Sequence, residues 1–239
     1  MTSGSPEEAL NLWKEKLAAL EKALVITYDV AIRFALQKQI EVCQKKIQKL
    51  TESIAIERVW ENLCNIAEPT DYIISVEITG NEQHSNSIST GNKQRKRDLG
   101  HIPLEDRNDG QKKVPLDSQI KLTVELDQKQ YLTLLDKGTS GKIYCLCPSS
   151  GFAPNSRLEP GITSFPQEDA KYPNFPVTGK EGQEEIIAII TDNPLDLEWW
   201  HVNSIVPARE LTLEDLKQLL IELSRRNDWK AIRTAFYIT

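Results

Sequence analysis

Apolar residues near the start of the chain recur at alternating intervals of three and four positions, which is the spacing of paired helices. One stripe comprises Leu10, Trp13, Leu17, Leu20 and Leu24. The next comprises Leu36, Ile40, Cys43, Ile47, Leu50 and Ile54. Because charged residues fill the positions between them, the pattern predicts an antiparallel, coiled-coil-like helical hairpin over residues 6–56, which forms a module of residues 1–56.

The ends of both predicted helices carry residues that favour helix initiation. Ser5 is followed by Pro6 and two glutamates, which suit a first turn and complement the helix dipole. The ITYDV segment between the stripes predicts the turn. Asp29, or Thr27 before it, is expected to cap the second helix by accepting a hydrogen bond from a free backbone N–H.

Further apolar residues widen the hairpin stripes beyond what a lone helix pair buries: Trp13, Phe34 and the Val25–Ile26 pair. We expect the hairpin to meet a second hairpin and form a four-helix bundle. The alternative is that these groups pack on the rest of the chain. The predicted partner-binding residues are Leu10, Trp13, Leu17, Leu20, Leu24, Phe34, Leu36, Ile40, Ile47, Leu50 and Ile54.

A change of apolar phase follows the hairpin. Ile56, Val59, Trp60, Leu63 and Ala67 form a new stripe rather than extending the second one. The shift predicts a bend near residue 55 or a separate short helix, so residues 57–70 are interpreted as a helical linker that closes at a proline.

From residue 71 onward, period-two alternation replaces the helical spacing, which predicts a β-rich domain over 71–239. The expected strands are YIISVEIT, KLTVEL, YLTLLD, KIYCLC and EEIIAIIT, the third and fourth joined by a KGTSG hairpin turn. Short strands with frequent turn signals favour a β-sandwich-like sheet. The fold class is therefore α+β.

Two other segments of this domain differ from the strands. Residues 81–118 are polar and predict a long loop. LTLEDLKQLLIELSRR predicts an amphipathic helix, with Thr212 as its cap and Asp215 at the reciprocal capping-box position. AIRTAFYIT then predicts a last strand that returns to the sheet.

Composition narrows the classes of function. The net charge is −6, with 29 Lys and Arg against 35 Asp and Glu, which argues against nucleic-acid or anionic-membrane partners. No apolar run approaches the length of a membrane span, and the N-terminus lacks the pattern of a signal peptide. Four cysteines without a disulfide-framework spacing suit a reducing cytoplasm.

Cys145 and Cys147, in the CLCP motif, are the most conspicuous candidates for chemistry. At i and i+2 of a strand they are expected to share one face, where a disulfide between them is sterically poor. His84, His101 and His201 stand at no metal-ligand spacing. We interpret both cysteines as buried strand residues. A metal or redox pair and a catalytic nucleophile are the alternatives, and no cofactor is expected.

The remaining motifs also favour structural roles. KQRKR at 93–97 is interpreted as a solvated loop, with an acidic partner as the alternative. Trp199 and Trp200, if on a strand, point opposite ways, one into the core and one to an edge. Packing is favoured for them over a ligand site.

Two resemblances add to this interpretation. The KLTVEL to EWW region, with Tyr131–Leu132, Leu146–Pro148 and Gly182–Ala188 among its motif positions, resembles an uncharacterised all-β domain family over about residues 115–200. That family is common in cyanobacteria and occurs beside caspase-like peptidases and signalling proteins. It has no assigned activity that could be carried over to a residue here.

The N-terminal hairpin, about residues 6–56, resembles the helical effector-associated modules of bacteria. These modules occur on caspase-like proteases, NTPase switches and other defence proteins. The resemblance implies homotypic coupling between hairpins.

The sequence thus favours a non-enzymatic adaptor that couples to an effector through its hairpin. Its predicted partner is a protein with a similar hairpin, such as a caspase-like protease or NTPase, or a second copy of this chain. The first alternative is a ligand-sensing β domain whose 149–175 loops help to form a pocket, with the hairpin as a homo-oligomerisation element. The second alternative is a cysteine-dependent hydrolase.

Overall fold

A computed structural model of the chain describes residues 5–69, 74–79, 112–200 and 206–239. The three histidines, the KQRKR run and residues 81–111 of the predicted loop lie outside these ranges. The chain divides into two compact units, Met1–Asn62 and Leu63–Thr239. Among the described residues, no helix combines the length and the apolar character needed to cross a membrane.

The first unit is built from two helices, α1 (Pro6–Ile26) and α2 (Val30–Ile66), of which α2 reaches into the second unit. Ser5 caps α1 as predicted, because its hydroxyl accepts from the N–H of Glu8 at 3.2 Å while Glu8 accepts from the N–H of Ser5 at 2.9 Å. Asp29 caps α2 by accepting from the N–H of Ile32 at 3.0 Å.

The prediction that a separate short helix follows residue 55 is wrong. α2 continues without interruption from Val30 to Ile66. A change of apolar phase moves the buried face around a helix but removes no backbone hydrogen bond, so the helix need not end there. The strand β1 (Glu68–Pro69) begins two residues after the helix.

Within the described ranges, the second unit contains eleven further strands and the helix α3 (Leu213–Ser224). The strands are β2 (Ile74–Thr79), β3 (Lys113–Val114), β4 (Gln119–Leu126), β5 (Gln130–Lys137), β6 (Ile143–Cys147), β7 (Arg157–Leu158), β8 (Gly161–Phe165), β9 (Phe175–Pro176), β10 (Gly182–Thr191), β11 (Arg209–Glu210) and β12 (Trp229–Ile238). The predicted α+β class is confirmed, including the final strand that returns to the sheet.

The strands form two sheets with a shared core. The larger sheet has the order β1-β12-β10-β5-β6-β11, with β3 added on β12 and β7 on β5. The smaller sheet has the order β2-β4-β8, with β9 added on β4. One apolar cluster contains residues of both sheets, among them Leu122, Val124, Leu134, Ile186 and Phe236, so the two sheets enclose the core between them.

The central strands β5 and β10 are buried on both faces. On β5, Leu132 and Leu134 belong to the core between the sheets, while Leu135 is buried on the opposite face. β10 runs antiparallel to β5 in a register that pairs Leu134 with Ala188. Even-numbered residues of both strands therefore face the smaller sheet.

The part of the predicted loop that the structure describes contains a short strand. β3 pairs parallel with the end of β12, where Val114 lies opposite Ile238. Val114 is fully buried. The burial of this apolar side chain explains why a strand forms in a mostly polar segment.

The helix α3 begins at the predicted capping box. Thr212 accepts from the N–H of Asp215 at 3.2 Å, and Asp215 accepts from the N–H of Thr212 at 2.9 Å. The Asp215 carboxylate also accepts from the Arg209 guanidinium at 3.0 Å. Leu216, Leu219 and Leu223 are the buried leucines of the helix.

We expect Asp215→Ala to lower the free energy of unfolding by about 1–3 kcal/mol, because it removes the reciprocal half of the capping box and leaves the Arg209 guanidinium without its carboxylate partner. Chemical denaturation monitored by circular dichroism measures this change. Glu214→Ala is the matched control, since Glu214 is exposed in the same first turn and should cost under about 0.5 kcal/mol. Equal effects of the two substitutions would contradict the assigned role of the cap.

Candidate functional site

The predicted partner-binding stripes are the shielded faces of the helical hairpin. Ile40 and Ile54 are buried, together with Cys43 between them, and Phe34 is exposed. The other members are half-buried: Leu10, Trp13, Leu17, Leu20, Leu24, Leu36, Ile47 and Leu50. The stripes are thus the less exposed faces of the two helices, and Phe34 is the member that offers most of its surface to a partner.

The exposed apolar surface of the hairpin is concentrated at the turn between its helices. Six large side chains within ten residues are exposed, from 53% for Ile32 to 94% for Tyr28. We call this group the apolar tip: Val25, Ile26, Tyr28, Val30, Ile32 and Phe34. Isolated exposed apolar residues are ordinary on protein surfaces, whereas a group of them close together is less common.

Hydrogen bonds hold the turn of the apolar tip in one conformation. The Arg33 guanidinium donates to the carbonyls of Leu24 at 3.4 Å and Thr27 at 3.0 Å. The Thr27 hydroxyl donates to the carbonyl of Ala23 at 2.8 Å, so Thr27 closes α1 while Asp29 opens α2. The exposed side chains therefore stand on a backbone that is already ordered.

Cys145 and Cys147 lie buried in β6, as predicted, but the expectation that they share a face is wrong. Cys147 pairs with Leu134 and Cys145 with Leu135, because a β-bulge shifts the register between these partners. Consecutive residues of β5 face opposite sides, so the two cysteines do as well. Cys147 belongs to the core between the sheets.

The surroundings of these cysteines disfavour thiolate chemistry. Burial raises the pKa of Cys145 to about 12, and burial together with Cys145 raises the pKa of Cys147 well above its usual value. The thiols contact backbone carbonyls, at 3.3 Å from Cys145 Sγ to Cys147 O and 3.5 Å from Cys147 Sγ to Leu132 O. Within the described ranges no group of three or more His, Cys, Asp and Glu side chains is placed to hold a metal ion.

The tryptophan pair does not lie on a strand. Residues 198–200 form a single 3-10 turn in which Trp199 and Trp200 are both buried. Trp200 Nε1 donates to Thr133 Oγ1 at 3.1 Å, and its ring lies 6.2 Å from that of Tyr131. These contacts place Trp200 on the face of the larger sheet that points away from the smaller one.

A cavity of about 320 Å³ opens between the two sheets at one end of the sandwich. The larger sheet contributes Asp136, Tyr144, Leu146, Glu184, Ile186 and Phe236. The smaller sheet contributes Ile120, Leu122, Phe175 and Pro176. The exposed lining residues Ser140, Thr178 and Gly179 mark its mouth. We call this cavity the inter-sheet pocket.

Two carboxyl groups face the inter-sheet pocket from neighbouring strands. Asp136 on β5 lies opposite Ile186 on β10. Glu184 lies two residues before Ile186, on the same face of β10. Asp136 Oδ1 has less than 1 Å² of accessible surface and no hydrogen-bond partner among the described residues. Glu184 accepts a hydrogen bond from the backbone N–H of Thr139.

The pocket environment favours the protonated form of both acids. Burial, and then the nearby Glu184, raise the pKa of Asp136 well above its usual value. Burial raises the pKa of Glu184 to about 7, against a smaller lowering by the Thr139 hydrogen bond. Strongly perturbed carboxyl groups in a cleft are a physical signature of a functional site.

A second cavity of about 400 Å³ lies near Asp127, Asp192 and Asp228, but the last two of these acids have protein partners. Asp192 Oδ1 accepts from Gln130 at 2.8 Å, and Asp228 forms an ion pair with Arg226 at 2.8 Å. The inter-sheet pocket is therefore the stronger candidate for a ligand.

Sequence reasoning missed Asp136 and Glu184, although a signal for them exists. Asp136 continues the alternation of Leu132 and Leu134, and Glu184 precedes Ile186 and Ala188 at the same spacing. A charged residue in phase with the apolar face of a strand is predicted to point inward. The aromatic wall was anticipated in part, since Phe152 and Phe175 come from the 149–175 region proposed to form a pocket.

We expect the cysteines of the native protein to resist alkylation at about pH 8, because all four are buried. Mass spectrometry after iodoacetamide treatment, with and without guanidinium chloride, measures the difference. Rapid native labelling that is lost in Cys147→Ser would instead support the cysteine-hydrolase hypothesis.

We expect the free energy of unfolding to fall between about pH 5 and pH 8 through the titration of Glu184. Its pKa is about 7 in the folded chain, above the ordinary 4.5, so the folded state holds the proton more tightly. This stability is present below the ordinary pKa and is lost as the pH rises through the folded pKa. After allowing for the partial exposure of Glu184, the effect is on the order of 1 kcal/mol.

Urea denaturation over this pH range measures how steeply the free energy of unfolding falls with pH. This slope should be smaller in Glu184→Gln. Glu185→Gln is the matched control, because Glu185 faces the opposite side of β10 and pairs with Lys137 at 3.6 Å. An unchanged slope in Glu184→Gln would show that another group carries the titration.

Comparison with known proteins finds a similarity over part of the chain. Residues 113–194 match the sequence model of a family described as a domain of unknown function, DUF4384. No curated protein and no solved structure shows a significant match. The match covers β3 to β10, including both carboxyl groups of the inter-sheet pocket and both cysteines of β6. These residues therefore lie within the segment that is similar to this family.

Proposed function

We propose that this protein is a non-enzymatic adaptor that couples to a protein partner through its N-terminal hairpin. The apolar tip carries this proposal, because six large apolar side chains stand exposed on an ordered turn. Complete burial of one such side chain contributes about 1.5–3 kcal/mol. Several together support specific association, since a few central aromatic and aliphatic residues dominate the energy of an interface.

The proposed partner is a protein with a similar helical hairpin, or a second copy of this chain. Residues 5–62 carry nine basic and nine acidic side chains, so no net charge opposes the association of two such hairpins. The half-buried stripe residues Leu20, Leu24 and Leu36 adjoin the apolar tip in sequence and leave apolar surface for a four-helix arrangement. Ile40 and Ile54 are buried, so in this arrangement they pack within the hairpin and do not touch the partner.

The proposed setting is a bacterial signalling or defence system in the reducing cytoplasm. The resemblance of the hairpin to effector-associated modules supports a caspase-like protease or an NTPase as the partner. The resemblance of the β domain to a family found beside such proteins, including those of cyanobacteria, supports the same setting. The four thiols are free and suit a reducing compartment.

The paired substitutions Tyr28→Ser and Phe34→Ser test the adaptor function. Both residues are exposed, so stability should change by under about 0.5 kcal/mol. Association should weaken more than about tenfold, because two buried contacts are lost. Sedimentation velocity of the full chain over a range of concentrations measures self-association, and affinity capture from the native host measures a different hairpin partner.

Ile221→Ser is the control for this experiment, because Ile221 is an exposed apolar residue of a helix outside the hairpin. It should leave association unchanged. A full chain that stays monomeric and captures no hairpin-bearing protein would overturn the adaptor function. Equal capture by the tip variant and the wild type would also overturn the role of the tip.

A ligand-sensing β domain is the second candidate function, with the hairpin as a homo-oligomerisation element. The inter-sheet pocket favours it, because the cavity combines apolar walls with a buried carboxylate oxygen that lacks a partner. A thermal-shift screen of the full chain against small molecules tests this function. The absence of any stabilising compound would count against it.

A further inference from the structure

We propose that the inter-sheet pocket binds a small organic ammonium ion, with Asp136 and Glu184 accepting its N–H groups and the aromatic walls enclosing its apolar body. This inference rests on the ligand-sensing function and names the chemical class of its ligand. It is independent of the partner of the hairpin.

In its ionised form, Asp136 requires a hydrogen-bond donor at its buried oxygen. Oδ1 is buried at the pocket and lacks a partner among the described residues. A buried polar atom left unpaired costs about 1–3 kcal/mol, and more if it is charged. A ligand that brings an N–H group to this oxygen recovers that cost on binding, which favours a donor over an apolar ligand.

The charges of the residues that line the inter-sheet pocket favour a cationic ligand. Among the described lining residues, Asp136 and Glu184 are the only acids, and none is Lys, Arg or His. An anionic ligand would meet two carboxyl groups without a counter-charge. Two carboxyl groups also fall short of the six to eight oxygen ligands that Ca²⁺ takes, so an organic cation fits better than a metal ion.

The walls of the pocket suit the apolar part of such a ligand. Tyr144, Phe152, Phe175 and Phe236 supply aromatic rings, and the centroids of Phe152 and Phe175 lie 4.6 Å apart. Aromatic faces attract ammonium groups as well as apolar carbon. A volume of about 320 Å³ is near the lower end of small-molecule pockets, which favours a small amine over a peptide.

Binding of an ammonium ion should release protons, because the ligand favours the ionised carboxylates. Glu184 is about half protonated near pH 7, since burial raises its pKa to about 7. The other titratable side chains that line the pocket are Asp136 on β5 and Tyr144 on β6. The smaller sheet and β12 contribute Ile120, Leu122, Phe175 and Phe236, which do not titrate. Affinity for an amine should therefore rise from about pH 6 to pH 8.

Isothermal titration calorimetry of the full chain tests the ligand class. The probes are phenethylamine and butylamine, with phenethyl alcohol as the neutral control and phenylacetate as the anionic control. At about pH 8 we expect each amine to bind at least about tenfold more tightly than either control, as the loss of a charge-assisted hydrogen bond predicts. Titrations in phosphate and Tris should differ in observed enthalpy, because protons pass from the protein to the buffer.

Asp136→Asn keeps the shape of the side chain and should weaken amine binding at least about tenfold. Glu184→Gln should reduce the proton release. Glu185→Gln is the matched control, because this neighbour pairs with Lys137 on the opposite face, and it should bind like the wild type. Circular dichroism and the melting temperature establish that each variant is folded.

The outcomes separate the ligand class from the underlying function. Equal binding of amine and alcohol, or full amine affinity in Asp136→Asn, would overturn the ammonium assignment. If neither amine binds while the thermal-shift screen finds a neutral or anionic ligand, the ligand class is wrong and the sensing function stands. If nothing binds in either experiment, both are wrong.

Discussion

The register of β10 between β5 and β12 is the constraint on which the rest of the β domain depends. Ten consecutive residues of β10 pair with β12, and seven pair with β5. Such long antiparallel pairing leaves one choice of inward-facing residues, because a slip by one position would turn every buried side chain to the other face. In the observed register Ile186, Ala188 and Ile190 lie in the core between the sheets, and Ile187 and Ile189 are buried on the opposite face.

The same register brings two acids into an apolar interior. Asp136 and Glu184 extend the inward-facing rows of β5 and β10 beyond their last large apolar residues. A stable sandwich has no need of them there, since an apolar pair would pack without a desolvation cost. Sites that oppose the stability of a fold in this way are commonly the sites that function requires.

The hairpin and the β-sandwich offer different groups for binding. The hairpin partly shields its apolar stripes and leaves large apolar side chains exposed at its turn, which suits contact with another protein surface. The sandwich hides its unsatisfied oxygen in a cavity too small for a peptide, which suits a small molecule. These two kinds of binding chemistry, in separate units of one chain, make adaptor and sensor compatible functions.

Much of this architecture could be predicted from local pattern. The spacing of Leu17, Leu20 and Leu24 predicted the less exposed face of α1. The Thr212–Asp215 capping box predicted the start of α3. What failed depended on pairing between distant segments. The bulge in β6 depends on β5, so alternation alone wrongly placed Cys145 on the same face as Cys147. Asp136 and Glu184 are 48 positions apart, and only the register of the sheet makes them neighbours.

That bulge decides which side chain the pocket acid meets. With the extra residue in β6, Asp136 lies opposite Tyr144. If the pairing of Leu134 with Cys147 continued without it, Cys145 would stand there and the tyrosine ring would turn to the far side of the sheet. One extra residue in β6 thus reverses the face of the sheet on which each following side chain lies. Gain or loss of such a residue gives this sheet a route to new pocket chemistry with no substitution in the lining.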